Sequence, residues 1–177
     1  MHKEIRLTGS GGQGVILMGI ILAEAAVEKG LQAIQSQSYG PEARGGASKC
    51  EVILSDQPID FPKVLEPNIL VALTQDGANK YAHGLGEDCL AIFDESVEVP
   101  ENLGTKNVFS YPIIETARIT LGKSIVSNIV TLGVFCELTD IYTREELLSA
   151  ILQRVPKGSE VLNERAFDEG IKLVRRA

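Results

Sequence analysis

Apolar positions divide the chain into two regimes. Up to about residue 112 they come in short runs broken by Gly, Pro and polar clusters, and from about 113 onward the pattern turns helical. Glu4 to Thr8 predicts a strand. Val15 to Lys29 predicts a helix that is apolar almost all round (Val15, Ile16, Leu17, Met18, Ile20, Ile21, Leu22), stopped by Gly30. Such a helix is buried on most sides, in a core or against another subunit. Leu31 to Gln37 follows as a second strand, so strand, helix and strand close within about 35 residues, the size of a βαβ unit. Ser36 to Gly46 is a polar loop, and Ala47 to Leu54 is a third strand that ends in the turn Ser55-Asp56-Gln57-Pro58. Ile69 to Leu73 is uninterruptedly apolar, the pattern of a central parallel strand covered on both faces. A short helix over Gln75 to Ala82 and strands over Cys89 to Phe93 and Asn107 to Tyr111 complete this part.

Helices are then expected over Thr116 to Leu121, over Asn128 to Thr139, from Thr143 with Glu146 completing a capping box, and from Ser159 to about Val174. This order predicts an α/β fold: a Rossmann-like, doubly wound, mostly parallel sheet with a C-terminal helical segment. We read residues 1–177 as a single domain, with an α/β core over about 1–112 and a mainly helical part over about 113–177.

Composition narrows the function. The net charge is −7, with no basic run longer than Arg175-Arg176, so general nucleic-acid binding and a polybasic membrane patch are both disfavoured. Cys50, Cys89 and Cys136 are isolated, which excludes an iron–sulfur cluster or structural zinc held by this chain alone and suits a reducing compartment. No signal-peptide or membrane-spanning stretch is apparent, and the expected location is the cytoplasm.

The candidate chemistry starts at Gly9-Ser10-Gly11-Gly12-Gln13-Gly14, placed between a strand and a helix. Glycines let the backbone turn sharply and approach a ligand, and the helix start offers N–H groups and positive potential to an anion. The spacing fits a dinucleotide loop, but nicotinamide binding needs an acid near the end of the second strand, where Gln35-Ser36-Gln37-Ser38 has none. A ligand-free tight junction is the plainer alternative. Gly122-Lys123-Ser124 looks like the end of a phosphate-binding P-loop, yet it follows a helix, and Ala117 stands where that loop needs glycine.

A second loop, Ser38-Tyr39-Gly40-Pro41-Glu42-Ala43-Arg44-Gly45-Gly46, follows the second strand. If the first two strands are adjacent and parallel, Arg44 reaches the space above the glycine loop with planar donors for phosphate or carboxylate, and Gly45-Gly46 lets the backbone come close. A surface turn with a solvated Arg44 is the alternative. The pairing of the two loops closely resembles the gamma subunit of 2-oxoacid:ferredoxin oxidoreductases. Tyr111-Pro112-Ile113, Asn128-Ile129-Val130-Thr131-Leu132-Gly133 and Asn163-Glu164-Arg165-Ala166-Phe167-Asp168-Glu169-Gly170 extend the resemblance over nearly the whole chain.

That resemblance implies a subunit without a complete active site. The family decarboxylates a 2-oxoacid onto coenzyme A and passes electrons to ferredoxin, with thiamine diphosphate and iron–sulfur clusters on other subunits. By this resemblance the coenzyme A contacts are Gly9, Ser10, Gly11, Gly12, Gln13, Gly14, Arg44, Gly45 and Gly46, with no catalytic or metal-binding residue on this chain. The partners would be alpha, beta and ferredoxin-like subunits, and a homodimer stays open for the isolated chain. The substrate type is 2-oxoglutarate, branched-chain 2-oxoacid or pyruvate, with 2-oxoglutarate preferred. The beta subunit of an indolepyruvate enzyme and a stand-alone nucleotide-binding domain are the alternatives. Asn128 reads as a helix cap, a core residue or a subunit contact. His83 reads as a helix-end residue, and Asp94-Glu95 as a solvated turn that could line the crevice.

Overall fold

The computed structural model describes residues 1–39 and 46–176. Within them the order is β1 (His2–Ser10), α1 (Val15–Glu28), β2 (Gln32–Tyr39), β3 (Ala47–Ser55), β4 (Ile69–Ala72), α2 (Gln75–Tyr81), β5 (Leu90–Asp94), β6 (Val108–Tyr111), α3 (Ile113–Glu115), α4 (Ser127–Leu138), α5 (Arg144–Arg154) and α6 (Glu160–Arg176). The described strands form one six-stranded sheet in the order β2-β3-β1-β4-β5-β6. The run β1-β4-β5-β6 is parallel, and β3 pairs antiparallel with both β2 and β1. The fold is α/β, as its pattern of elements predicts.

The first two strands run parallel but are not neighbours, because β3 lies between them. The cause is chain length. Parallel neighbours need a crossover of a dozen or more residues. Residues 40–46 are too few, so β3 returns beside β2 in the opposite direction and takes the place next to β1. Its register sets Ser10 of β1 opposite Ala47 and Gly9 opposite Ser48.

β4 is buried along its whole length, as its unbroken apolar run requires. Its alternate side chains serve two cores. Ile69 and Val71 join Ile5, Leu7 and Ile92 under α1, α4, α5 and α6, while Leu70 and Ala72 join Ala91 and Phe93 under α2. The apolar girth of α1 is largely met within the chain, since α4 and α5 cover faces that the sheet leaves free. The Tyr142 hydroxyl, buried between α4 and α5, donates to the Leu22 carbonyl of α1 at 2.6 Å. Burial raises that phenol above its ordinary range and keeps it a donor.

Local capping places the helices. Thr74 Oγ1 accepts from the Gly77 N–H at the start of α2, and Thr143 with Glu146 forms the expected capping box on α5. The helix expected over Thr116 to Leu121 differs in kind. One turn of α3 widens into a π-helical stretch, Thr116–Thr120, and a 3₁₀ turn, Ser124–Val126, then leads into α4. The Leu121 N–H reaches back five residues to the Thr116 carbonyl, the mark of the wider helix.

Candidate functional site

The glycine loop leaves β1 at the carboxyl end of the sheet and enters α1. Gly9 is buried at the end of β1, and its carbonyl accepts from Ser48 Oγ at 3.4 Å. Three contacts then fix the loop. The Ser10 N–H donates to Gln13 Oε1 at 2.8 Å, the Gln13 N–H donates to the Ser10 carbonyl at 3.2 Å, and the Gly11 N–H donates to the Gly46 carbonyl at 3.2 Å. Gln13 thus braces the loop through its carbonyl oxygen. Gly46 ties the first loop to the strand that carries the second.

These bonds account for the N–H groups of Ser10, Gly11 and Gln13. Among the described residues no partner meets the N–H groups of Gly12, Gly14, Val15, Ile16 or Leu17. A helix start always leaves such donors over, and a side-chain cap or an acidic residue normally answers them. Here the residue before the helix is Gly14, without a side chain, and the first turn of α1 holds no acid. The result is a cluster of backbone donors at a positive helix end, backed by a braced loop and suited to phosphate or carboxylate oxygens.

Gly14 is required twice. Its φ of 72° lies in the left-handed region. A β-carbon there would also sit 2.5 Å from Asn128 Nδ2. Asn128 is the second residue of α4, so two helix starts, α1 and α4, meet at this point. From the sequence Asn128 reads as a helix cap, a core residue or a subunit contact; nothing local joins it to Gly14.

Arg44 and Gly45 lie outside the described residues. Gly46 lies within them, half-buried, with its carbonyl on Gly11. The other residues weighed from the sequence are engaged elsewhere. Asp94 is 2% exposed and accepts from the N–H groups of Ser96 (3.0 Å) and Ile114 (2.8 Å), so it holds the start of α3. It lies at one wall of a cleft of about 360 Å³ lined also by Pro112 and Arg118. His83 offers its carbonyl to Arg6 Nη1 at 2.9 Å. Gly122-Lys123-Ser124 follows the π-helical stretch instead of a strand, so the P-loop likeness has no structural counterpart. A wider cleft, about 570 Å³, lies between α1, β2 and α5, beside Val27 and Ala33 and away from the glycine loop.

The placement of β3 also bears on cofactor choice. In a dinucleotide-binding fold the second strand adjoins the first, which brings its acidic residue to the ribose. Here β2 stands two strand spacings from β1, about 9.6 Å, and its end lacks that acid. All three cysteines are free and buried. Burial pushes the thiols of Cys89 and Cys136 up to about 11 and raises Cys50, so none is a ready nucleophile at neutral pH. Among the described residues no group of three or more His, Cys, Asp or Glu is placed to hold a metal ion, and no helix is long and apolar enough to cross a membrane.

Comparison with known proteins gives the lineage of this arrangement. Residues 4–173 match the family model for pyruvate ferredoxin/flavodoxin oxidoreductase. The chain is 46% identical over 178 residues to the 2-oxoglutarate synthase subunit KorC of Methanocaldococcus jannaschii, covering 99% of this chain and 95% of that one. It is 42% identical to the keto/oxoacid ferredoxin oxidoreductase gamma subunit of Geobacter sulfurreducens, with a TM-score of 0.89 and coverage of 100% and 98%. It also shares the fold of part of the 2-oxoglutarate:ferredoxin oxidoreductase of Magnetococcus marinus, solved with 2-oxoglutarate, coenzyme A and succinyl-CoA bound. There the TM-score is 0.86 at 21% identity, over 99% of this chain and 31% of that one. These relatives favour the gamma-subunit reading over the beta subunit of an indolepyruvate enzyme. The chain belongs to the pyruvate ferredoxin/flavodoxin oxidoreductase family, as one of its small gamma-type subunits.

Proposed function

We propose that this chain serves a 2-oxoglutarate:ferredoxin oxidoreductase by holding the phosphate end of coenzyme A at the glycine loop and by scaffolding the subunits that carry the chemistry. The observation that carries this is the set of N–H groups at Gly12, Gly14 and Val15 to Leu17 that meet no partner among the described residues, with no acid in the first turn to neutralise them. The coenzyme A in the Magnetococcus marinus enzyme supports the choice of ligand. In this reading Arg44 supplies a fixed charge to a phosphate from the second loop, and Gly45-Gly46 lets the backbone approach. Thiamine diphosphate and the iron–sulfur clusters are assigned in this reading to alpha, beta and ferredoxin-like partners; for the clusters, the dispersed and buried cysteines of this chain support it. The chain acts as one unit over residues 1–177, its α/β and helical parts sharing a core. Buried free thiols suit the cytoplasm.

Reconstitution tests the proposal. Co-expressed with candidate alpha, beta and ferredoxin-like subunits, the chain should complete a complex that oxidises 2-oxoglutarate only with coenzyme A present. A complex that turns over equally well without this chain overturns it. Within the active complex, Arg44→Ala should raise the KM for coenzyme A about tenfold or more, the size of one lost charge-assisted contact.

A further inference from the structure

The sheet ends at β2 and at β6, and the two edges are built differently. β6 is an edge of four residues, Val108–Tyr111, with Lys106 before it and Pro112 after it. Short length, lysine and proline are common means by which an edge is kept from pairing. β2 has none of them. It runs for eight residues, Gln32–Tyr39, without a charge or a proline. β3 takes one side of it, and among the described residues no strand takes the other. That side is a row of backbone donors and acceptors about 27 Å long. Beside it opens the cleft of about 570 Å³ between α1, β2 and α5, over Ala33 and Gln35. Val27 of α1, 60% exposed, stands at its wall. The polar rim of the cleft is already paired: Gln153 donates to Glu28 at 2.9 Å, and Arg154 Nε donates to Glu24 at 2.6 Å. The occupant this edge fits has an extended backbone for the strand and an uncharged, apolar surface for the cleft.

We propose that this occupant is a second copy of the chain, with β2 pairing antiparallel to β2 of its mate across a two-fold axis. A two-fold interface sets one segment against itself, so charges within it are brought near their likes. β2 carries no charge to oppose. Antiparallel pairing in the plane of the sheet keeps α1 and α5 of both copies on one face. The two clefts then meet over the seam, and Val27 of each copy leaves water. A foreign strand satisfies the backbone alone, whereas a second copy brings its own α1 and closes the cleft as well.

The test uses the full chain in sedimentation equilibrium. The wild type should sediment as a dimer. Gln32→Lys with Gln37→Lys, at two exposed positions, should weaken self-association about tenfold or more at an unchanged thermal midpoint, because like charges then line the seam. Gln32→Glu with Gln37→Glu should do the same alone. An equal mixture of the two double variants should dimerise again, a recovery that a merely destabilised chain does not show. A wild type that stays monomeric, or a lysine variant that dimerises as before, overturns the proposal. If the β2 amides exchange slowly only once other subunits are added, a strand of a partner holds the edge, and self-pairing is overturned. Should the variants melt early, amide exchange in the wild type decides. Exchange over β2 that slows as protein concentration rises upholds the seam, and exchange independent of concentration overturns it.

Discussion

Gly133 of α4 and Gly170 of α6 face each other with no room for a methyl group between the helices. A β-carbon on Gly133 would lie 2.1 Å from the Phe167 carbonyl oxygen, and one on Gly170 would lie 2.1 Å from the Val130 carbonyl oxygen. In an exposed helix, Gly→Ala stabilises by about 1 kcal/mol. Here the sign reverses. Gly133→Ala and Gly170→Ala should each destabilise by about 1–3 kcal/mol or more, since the obstacle is backbone and the helices must part. Denaturant unfolding of each variant checks this, and a stabilised variant would show that the two helices have freedom to separate.

Arg6 and Glu51 form a second cross-chain tie, 2.8 Å apart and both nearly buried, on directly opposed positions of β1 and β3. Lys49 Nζ reaches the other Glu51 oxygen at 2.9 Å, and Arg6 also donates to the Tyr81 and His83 carbonyls at the end of α2. Removing one partner from a buried pair costs about 3–5 kcal/mol, whereas exchanging both for apolar residues is often neutral. Glu51→Leu should therefore lose several kcal/mol, and the double variant Arg6→Leu with Glu51→Leu should recover part of it. A double-mutant cycle in urea measures the coupling.

Alkaline stability should depend on two thiols. Burial pushes Cys89 and Cys136 from 9.0 up to about 11 in the folded chain. A group raised in the folded state contributes stability that is fully present below its unfolded value and lost as pH rises through the folded one. The window is thus pH 9.0 to about 11. Unfolding midpoints of the wild type should fall across it, and Cys89→Ala with Cys136→Ala should flatten the slope while lowering stability at neutral pH.

The α5 capping box should show the opposite slope. The Thr143 backbone N–H, first, and the Lys29 ammonium hold the Glu146 carboxyl below its ordinary value of 4.5. A lowered carboxyl contributes stability present above 4.5 and lost as pH falls through the folded value. Glu146→Gln should therefore flatten acid unfolding below pH 4.5. Thr143→Ala should cost about 1 kcal/mol at neutral pH, the usual worth of an N-cap. Urea unfolding at neutral and acid pH separates the two contributions.

Much of this architecture is legible along the chain because it is locally encoded. The run Ile69 to Leu73 marks a central strand, and Thr143 with Glu146 marks a helix start; neither depends on distant residues. The glycine loop is largely legible for the same reason: the Gln13 brace and the left-handed Gly12 and Gly14 lie within six neighbours, whereas its tie to Gly46 does not. The place of β3 is only half legible. Its strand character is plain, and the few residues before it do rule out a parallel return, but its position beside β1 is a tertiary outcome. The π-helical turn at Thr116–Thr120 has no compositional mark. The contact of Asn128 with Gly14 joins opposite parts of the chain, so only the assembled fold reveals it.

The placement of β3 has a consequence for how such a chain can change. Ser10 faces Ala47, and Tyr39 faces Ser48, so the ends of both loops are anchored to one ladder. A residue added or removed within β3 would turn every later side chain to the wrong face of the sheet. Residues added between Tyr39 and Gly46 would leave that ladder untouched. The scaffold can therefore take up added length between these two strands without asking the sheet to refold.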